Sequence, residues 1–273
     1  MTKPVAWVTG ATSGIGAAFA EYFASQGYDL VLTGRREGQL REFADVLGKK
    51  YGASSRLFFG ELSEESVISK IERELQNDKL VHVLVNNAGF ASYGSFHEGD
   101  LNVYQQMIKV HCEVPVRLSY AALKTMVDAK KGILINVASL AGFFPYPNHT
   151  LYSATKTFLI NFSESLGVRY KNDGIHIVAV CPGMTMTNFH TRMGLDARKV
   201  YKKIGLEKAL TPEQVVKNTI SCINHRKYVC IPGFHNRFLR TGSRMIPRKL
   251  LYKIMSTWIE KRRTNPSLKS QEF

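Results

Sequence analysis

Tyr152 and Lys156 stand four residues apart in YSATK, so on a helix both side chains leave the same face. A phenol held beside an ammonium is an acid–base pair. Free phenol, near pKa 10, accepts protons poorly at neutral pH, and a neighbouring cation favours its ionised form. Ser139 lies 13 residues before Tyr152, at the end of an apolar run. The carboxyl end of a strand is where ligands bind in open α/β sheets.

A second group of residues is suited to phosphate. TGATSGIG places Gly10, Gly14 and Gly16 around Thr12, Ser13 and Ile15. Glycines there let the backbone approach a pyrophosphate while a following helix offers free amides and its positive end. The spacing is GxxxGxG rather than the general dinucleotide GxGxxG, so a purely structural glycine turn stands as the competing reading. Downstream, LTGRRE has Gly34 where a ribose-binding carboxylate would stand, and Arg35 and Arg36 follow. Guanidinium matches phosphate oxygens in bidentate fashion, so the pair suits a 2′-phosphate. A solvated loop is the bland alternative, and Glu37 is a less well placed ribose ligand. Further on come GELS with Glu61 and Leu62, VNNAG with Asn87, Ala88 and Gly89, and PGMTMT with Pro182, Gly183, Thr185 and Thr187.

In combination, the TGxxxGxG turn, NNAG, Ser139, Tyr152, Lys156 and PGMTMT resemble the short-chain dehydrogenase/reductase family over Val5 to Ile231. The resemblance implies a nicotinamide-dependent enzyme, with the arginine pair pointing to NADP(H), in which Tyr152 is the catalytic acid or base. Lys156 would lower its pKa and hold the nicotinamide ribose, and Ser139 would hydrogen-bond the substrate oxygen. Asn87 to Gly89 would line the cofactor pocket, with Pro182, Gly183, Thr185 and Thr187 at its nicotinamide end. Two positions depart from the family pattern. His111, in KVHC, stands where the family usually has an Asn that positions a water through its main-chain carbonyl; it joins the catalytic set either in that way or as a direct proton donor. Glu61 replaces the usual Asp facing adenine.

Residues so spaced need a scaffold, and the periodicity supplies one. Apolar, β-branched runs at Val5 to Thr9, Leu30 to Thr33, Arg56 to Phe59, Val81 to Val85, Gly132 to Ala138, Ile175 to Val180 and Tyr228 to Ile231 alternate with segments of helical spacing. The helical stretches run roughly from Gly14 to Ser25, Glu37 to Tyr51, Ser63 to Gln76, Leu101 to Asp128, Thr150 to Lys171 and Thr211 to His225. This pattern predicts an α/β fold: a Rossmann-type, doubly wound, seven-stranded parallel sheet. One domain over 1–231 carries the cofactor and catalytic residues, and 232–273 forms a basic helical extension.

The substrate side reads apolar. Phe143, Phe144 and Tyr146 follow Ser139, and Met184, Met186 and Phe189 follow the sixth strand, which suits a small lipophilic carbonyl rather than a sugar. His149 is the one imidazole of the first loop, and Arg192 follows the second. The expected activity is reduction of a lipophilic ketone to a secondary alcohol with NADPH, with a catalytically idle NADP-binding sensor or scaffold as the alternative.

Net charge is +15, and Arg226 to Phe273 holds 12 Lys and Arg against 2 acidic residues, a net +10. The tail repeats Leu250, Leu251, Ile254, Met255, Trp258 and Ile259 as an apolar stripe among Lys and Arg. That pattern suits the surface of an anionic membrane; a lid over the substrate pocket or a dimer interface is the competing reading. Nucleic-acid binding has only the basicity behind it. The four cysteines, Cys112, Cys181, Cys222 and Cys230, form no CxxC pair and indicate neither a disulfide framework nor a metal site. They read as small buried hydrophobes of a reducing compartment. With no signal peptide and no apolar run long enough to span a bilayer, the expected setting is cytoplasmic, peripheral on the cytoplasmic membrane face if the tail binds lipid, and the expected assembly is a homo-oligomer.

Overall fold

A computed structural model describes residues 2–187 and 209–264, the side chains of 258, 259 and 261–264 excepted. Seven strands form one parallel sheet: β1 (Val5–Val8), β2 (Asp29–Gly34), β3 (Ser55–Phe59), β4 (Val81–Asn86), β5 (Gly132–Val137), β6 (Ile175–Val180) and β7 (Val229–Cys230). Their order is β3-β2-β1-β4-β5-β6-β7, so the winding reverses between β1 and β4. Chain direction at that reversal opens a crevice at the carboxyl ends of the strands.

Alternation along each strand feeds two cores. On β1, Ala6 and Val8 face α1 (Gly14–Ser25), α2 (Glu37–Tyr51) and α7 (Pro212–Asn224), meeting Phe19, Leu40 and Val215. Val5 and Trp7 face the other way, toward Ile71 of α3 (Glu65–Asn77) and Leu118 of α5 (Val114–Ala129). A sheet buried on both faces explains why its strands read as continuous apolar runs. A smaller cluster joins Leu159 and Ile160 of α6 (Thr150–Arg169) to Ala179 and Cys181. The single-domain α/β architecture expected from the periodicity is the one found.

One expected helix is divided. The stretch from Leu101 to Asp128 folds as α4 (Leu101–Ile108), a π-helical turn over Lys109–Glu113, and α5. Pro115, in the first turn of α5, has no N–H, and its ring would clash with the carbonyl four residues back, which is that of His111. One turn of wider winding relieves this. After β7 come α8 (Phe234–Met245) and α9 (Arg248–Thr264).

Candidate active site

The crevice beyond β1, β4 and β5 holds a cavity of about 530 Å³. Its floor is the glycine turn. Gly10 and Gly14 adopt φ of 66° and 60°, in the left-handed region that side chains disfavour. Gly16 is excluded from bearing a side chain for another reason: a Cβ there would lie 2.4 Å from the Gly10 carbonyl oxygen and from Asn87 Nδ2. Asn87 fastens the turn, donating from Nδ2 to the carbonyls of Thr9 (2.9 Å) and Gly10 (3.1 Å). Thr9 Oγ1 in turn accepts the backbone N–H groups of Asn87 and Ala88. The first turn of α1 carries no acidic residue, and Ser13, Gly14 and Ile15 line the cavity there, which leaves the positive helix end to an anion.

At the β2 end, Arg35 pairs with Glu61 at 2.9 Å and Arg36 Nη2 donates to Thr12 Oγ1 at 3.2 Å. A Cβ at Gly34 would stand 2.7 Å from Thr12 Cγ2, so a carboxylate residue at this strand end would collide with the turn. The strand end thus presents two guanidinium groups and has no carboxylate at position 34. Arg35, Glu61, Leu62 and Thr12 line the cavity; Gly16 and Arg36 are not part of its wall.

Ser139, Tyr152 and Lys156 converge on the opposite end of the same space. Ser139 caps the short turn that ends β5, its Oγ accepting the Ala141 N–H at 3.1 Å. Tyr152 is hydrogen-bonded to the Ser139 hydroxyl; burial pushes its phenol up, and that bond works against the rise. Lys156 is buried, donates to the Val137 carbonyl at 2.9 Å and lies 5.7 Å from the Tyr152 ring centre. Burial brings its ammonium down to about 8. Pro182, Gly183, Thr185 and Thr187 close the wall beside them, and Leu140 N–H holds the Pro182 carbonyl at 2.8 Å.

His111 does not line the cavity; it stands behind Gly89, where a Cβ would lie 2.9 Å from its Nε2. Nε2 accepts the Phe90 N–H at 3.1 Å, which fixes the proton on Nδ1, and Nδ1 is 2.9 Å from Thr155 Oγ1. Thr155 Oγ1 donates onward to the Tyr152 carbonyl at 2.9 Å. Burial, then the Lys156 charge, holds the ring's pKa well below its ordinary value. A neutral imidazole engaged at both nitrogens ties the loop after β4 to the helix that carries Tyr152. The π-helical turn that sets the ring there was not readable from periodicity, although Pro115 was its signal.

The substrate end is more than the two loops expected to form it. Phe144, Tyr146, His149 and Met184 line the cavity, and so do Phe90, Val110, Leu239 of α8 and Met255 of α9. Phe143 instead packs against the Leu159 cluster with the Arg240 guanidinium 5.3 Å from its ring centre, and Met186 is not in the wall. Phe189 and Arg192 lie outside the described residues. The tail stripe is divided: Met255 points into the cavity, Leu250 and Ile254 are exposed, and the side chains of Trp258 and Ile259 lie outside the described set. Among the described residues no helix is long and apolar enough to cross a membrane.

Residues 4–197 match the short chain dehydrogenase family. Over 222 residues the chain is 36% identical to very-long-chain 3-oxoacyl-CoA reductase-B of Danio rerio, covering 79% of this chain and 67% of that one. A short-chain dehydrogenase from Sphingobium yanoikuyae, solved in complex with NADPH, superposes with a TM-score of 0.80 at 30% identity, covering 88% of this chain and 93% of that one. The bulky-bulky ketone specific alcohol dehydrogenase from Comamonas testosteroni superposes at 0.76 with 25% identity, covering 93% and 95%. With the family match extending over most of the chain and the fold shared almost end to end, the protein belongs to the short chain dehydrogenase family, a family of oxidoreductases that use a nicotinamide cofactor.

Proposed function

We propose that the protein is an NADPH-dependent reductase that converts a lipophilic ketone to a secondary alcohol. The observation that carries this reading is the meeting of Phe144, Tyr146, Met184, Leu239 and Met255, from three separate stretches of chain, around the end of the cavity that holds Ser139 and Tyr152. When bound, the nicotinamide cofactor supplies the hydride. The chain's residues hold the carbonyl and manage its proton. Tyr152, kept neutral by burial, donates a proton to the carbonyl oxygen as charge gathers there. Ser139 donates a second hydrogen bond, and the Lys156 ammonium stabilises the phenolate left behind. Asn87, Ala88 and Gly89 wall the cofactor space, Arg35 on the wall takes the 2′-phosphate with the charge of Arg36 behind it beside Thr12, and Glu61 and Leu62 face the adenine end. His111 positions Tyr152 through Thr155 rather than passing a proton itself.

The Danio relative is named for 3-oxoacyl-CoA, so 3-oxoacyl thioesters head a screen that also includes ketosphinganine, steroids and aromatic ketones. NADPH consumption with one of these classes is the expected result. Tight NADPH binding without turnover of any of them would favour the idle sensor or scaffold.

The tail of this reading points to an anionic membrane surface. Phe234, Phe238 and Met245 fall on one side of α8 and are 73%, 73% and 82% exposed. Arg237 and Arg244 flank them on the same helix, and α8 and α9 bring Leu239 and Met255 to the substrate end. Exposed Leu101, Ile108, Val116 and Tyr120 on α4 and α5 provide a separate face for a second copy of the chain.

A further inference from the structure

A second, smaller cavity of about 270 Å³ lies at the sheet edge between α7, β7 and α8. It shares no wall residue with the larger one. Cys222 of α7 lines it, half-buried, together with Lys227, Arg237 and Arg240. Lys227 and Arg237 beside the thiol, with Arg240 farther along the same wall, make an electropositive pocket large enough for several waters. Behind Cys222, within hydrogen-bonding reach, is the buried thiol of Cys230 in β7, whose Sγ also lies 3.5 Å from the Asn218 carbonyl. The other two cysteines lack this setting. Cys181 is fully buried in the cluster under α6, and burial raises the Cys112 thiol.

We propose that Cys222 and Cys230 form a peroxide-reactive dithiol, with Cys222 as the attacking thiolate and Cys230 as the resolving thiol. The geometry supplies what such a pair needs: an attacking sulfur that solvent reaches, cations to favour the thiolate and the departing hydroxide, and a second sulfur already in contact.

The groups facing Cys222 act in one direction. The Cys230 hydrogen bond, and then Lys227, Arg237 and His225, bring its thiol down to about 7 against the opposing effect of burial. Cys230 is raised, first by its bond to Cys222 and then by burial. Exposure assigns the roles: Cys222 lines the cavity and meets solvent, whereas Cys230 is buried behind it and is not part of the cavity wall.

The chemistry balances. Thiolate attack breaks the O–O bond of hydrogen peroxide, forms an S–O bond and releases hydroxide, which takes a proton from solvent. Cys222 is then a sulfenic acid, oxidised by two electrons. The Cys230 sulfur next attacks the Cys222 sulfur, an S–S bond forms, the S–O bond breaks, and the hydroxyl leaves as water with the Cys230 proton. One peroxide becomes two waters, and two thiols become one disulfide that an added dithiol reverses. The modification sits beside the root of α8, the helix that carries Leu239 to the substrate end.

Peptide mass spectrometry on the full chain tests this. After brief exposure to near-stoichiometric hydrogen peroxide, the wild type is expected to lose two hydrogens as a Cys222–Cys230 cross-link while Cys112 and Cys181 remain alkylatable. Cys230→Ser should stop at a Cys222 sulfenic acid that dimedone captures, and Cys222→Ser should abolish the cross-link. Iodoacetamide labelling of Cys222 should rise with a midpoint near pH 7, well below an ordinary thiol near 8.5. Should Cys112 or Cys181 oxidise first, or should Cys222 label only with a midpoint of 8.5 or above, the proposal is overturned. The wild-type measurements decide this even if a serine variant fails to fold.

Discussion

Arg35 faces a choice that magnitudes settle. Its pairing with Glu61 is exposed on both sides, and such pairs are worth about 0.2–1 kcal/mol. A charge-assisted bond to a phosphate is worth about 1.5–3 kcal/mol, so a 2′-phosphate should win the guanidinium from Glu61. Arg35→Ala is therefore expected to weaken NADPH by roughly 10- to 150-fold while NADH binding, measured by fluorescence titration, barely moves. A wild type that already prefers NADH would overturn the assignment. Tyr152→Phe keeps the ring and removes the proton. It should lower kcat by at least about 10²-fold, the lower edge of acid–base contributions, with NADPH affinity nearly unchanged. Lys156 adds a pH dependence. Its ammonium, brought down to about 8 by burial, is charged below that pH and neutral above it, so kcat/KM for reduction should be level at neutral pH and decline through about 8. A profile level to pH 9.5 would show that the cation is not needed. The same group has a stability consequence of opposite sign. A lysine depressed in the fold binds fewer protons there than when unfolded, so its contribution to stability rises between about 8 and the unfolded value.

At the scale of elements, the glycine turn and the C-terminal helices carry opposite tolerances. The turn is closed tightly: a methyl at position 16 meets the backbone carbonyl of Gly10 at 2.4 Å and, at the same distance, Asn87 Nδ2, which two hydrogen bonds to the Thr9 and Gly10 carbonyls hold in place. Gly16→Ala should cost about 1–3 kcal/mol of stability, the usual range for overpacking, and should weaken cofactor binding as the turn opens. An unchanged Tm with unchanged NADPH affinity would mean that the turn gives way more easily than its contacts indicate. Among the described residues, Leu239 and Met255 are the side chains by which the C-terminal helices line the cavity. Ending the chain after Ile246 removes Met255 and leaves Leu239. The KM of a bulky ketone should rise several-fold more than that of a small one, while kcat on the small ketone stays within about threefold, one lost apolar contact being worth about 1–3 kcal/mol. Equal loss on both would make α9 a folding element rather than part of the substrate wall.

For the whole molecule, charge and exposure combine on one side. Phe234, Phe238 and Met245, exposed on one side of α8, lie within a tail of net +10, and each cation near an anionic surface contributes about 1 kcal/mol. The protein should sediment with vesicles containing phosphatidylserine, release in high salt, and fail to bind when Phe234, Phe238 and Met245 are all changed to Ser. Indifference to vesicles in the wild type, with the triple variant instead splitting a dimer in light scattering, would assign the face to a second copy. Much of this molecule is written locally. The strands read as apolar runs because both faces of a parallel sheet are buried, and Tyr152, Lys156 and the glycines are recognisable because their chemistry depends on residue type at short spacing. Contacts between distant segments are not encoded that way. Thr9 and Asn87 meet only after β1 and β4 pair, and the partners of the His111 ring, Phe90 on one nitrogen and Thr155 on the other, are brought to it only by the π-helical turn and the packing of α6. The tail shows the same division. Its helical stripe was legible, but which side faces the body is decided by the surface it packs on, and tertiary structure turned Met255 inward and left Phe234, Phe238 and Met245 exposed.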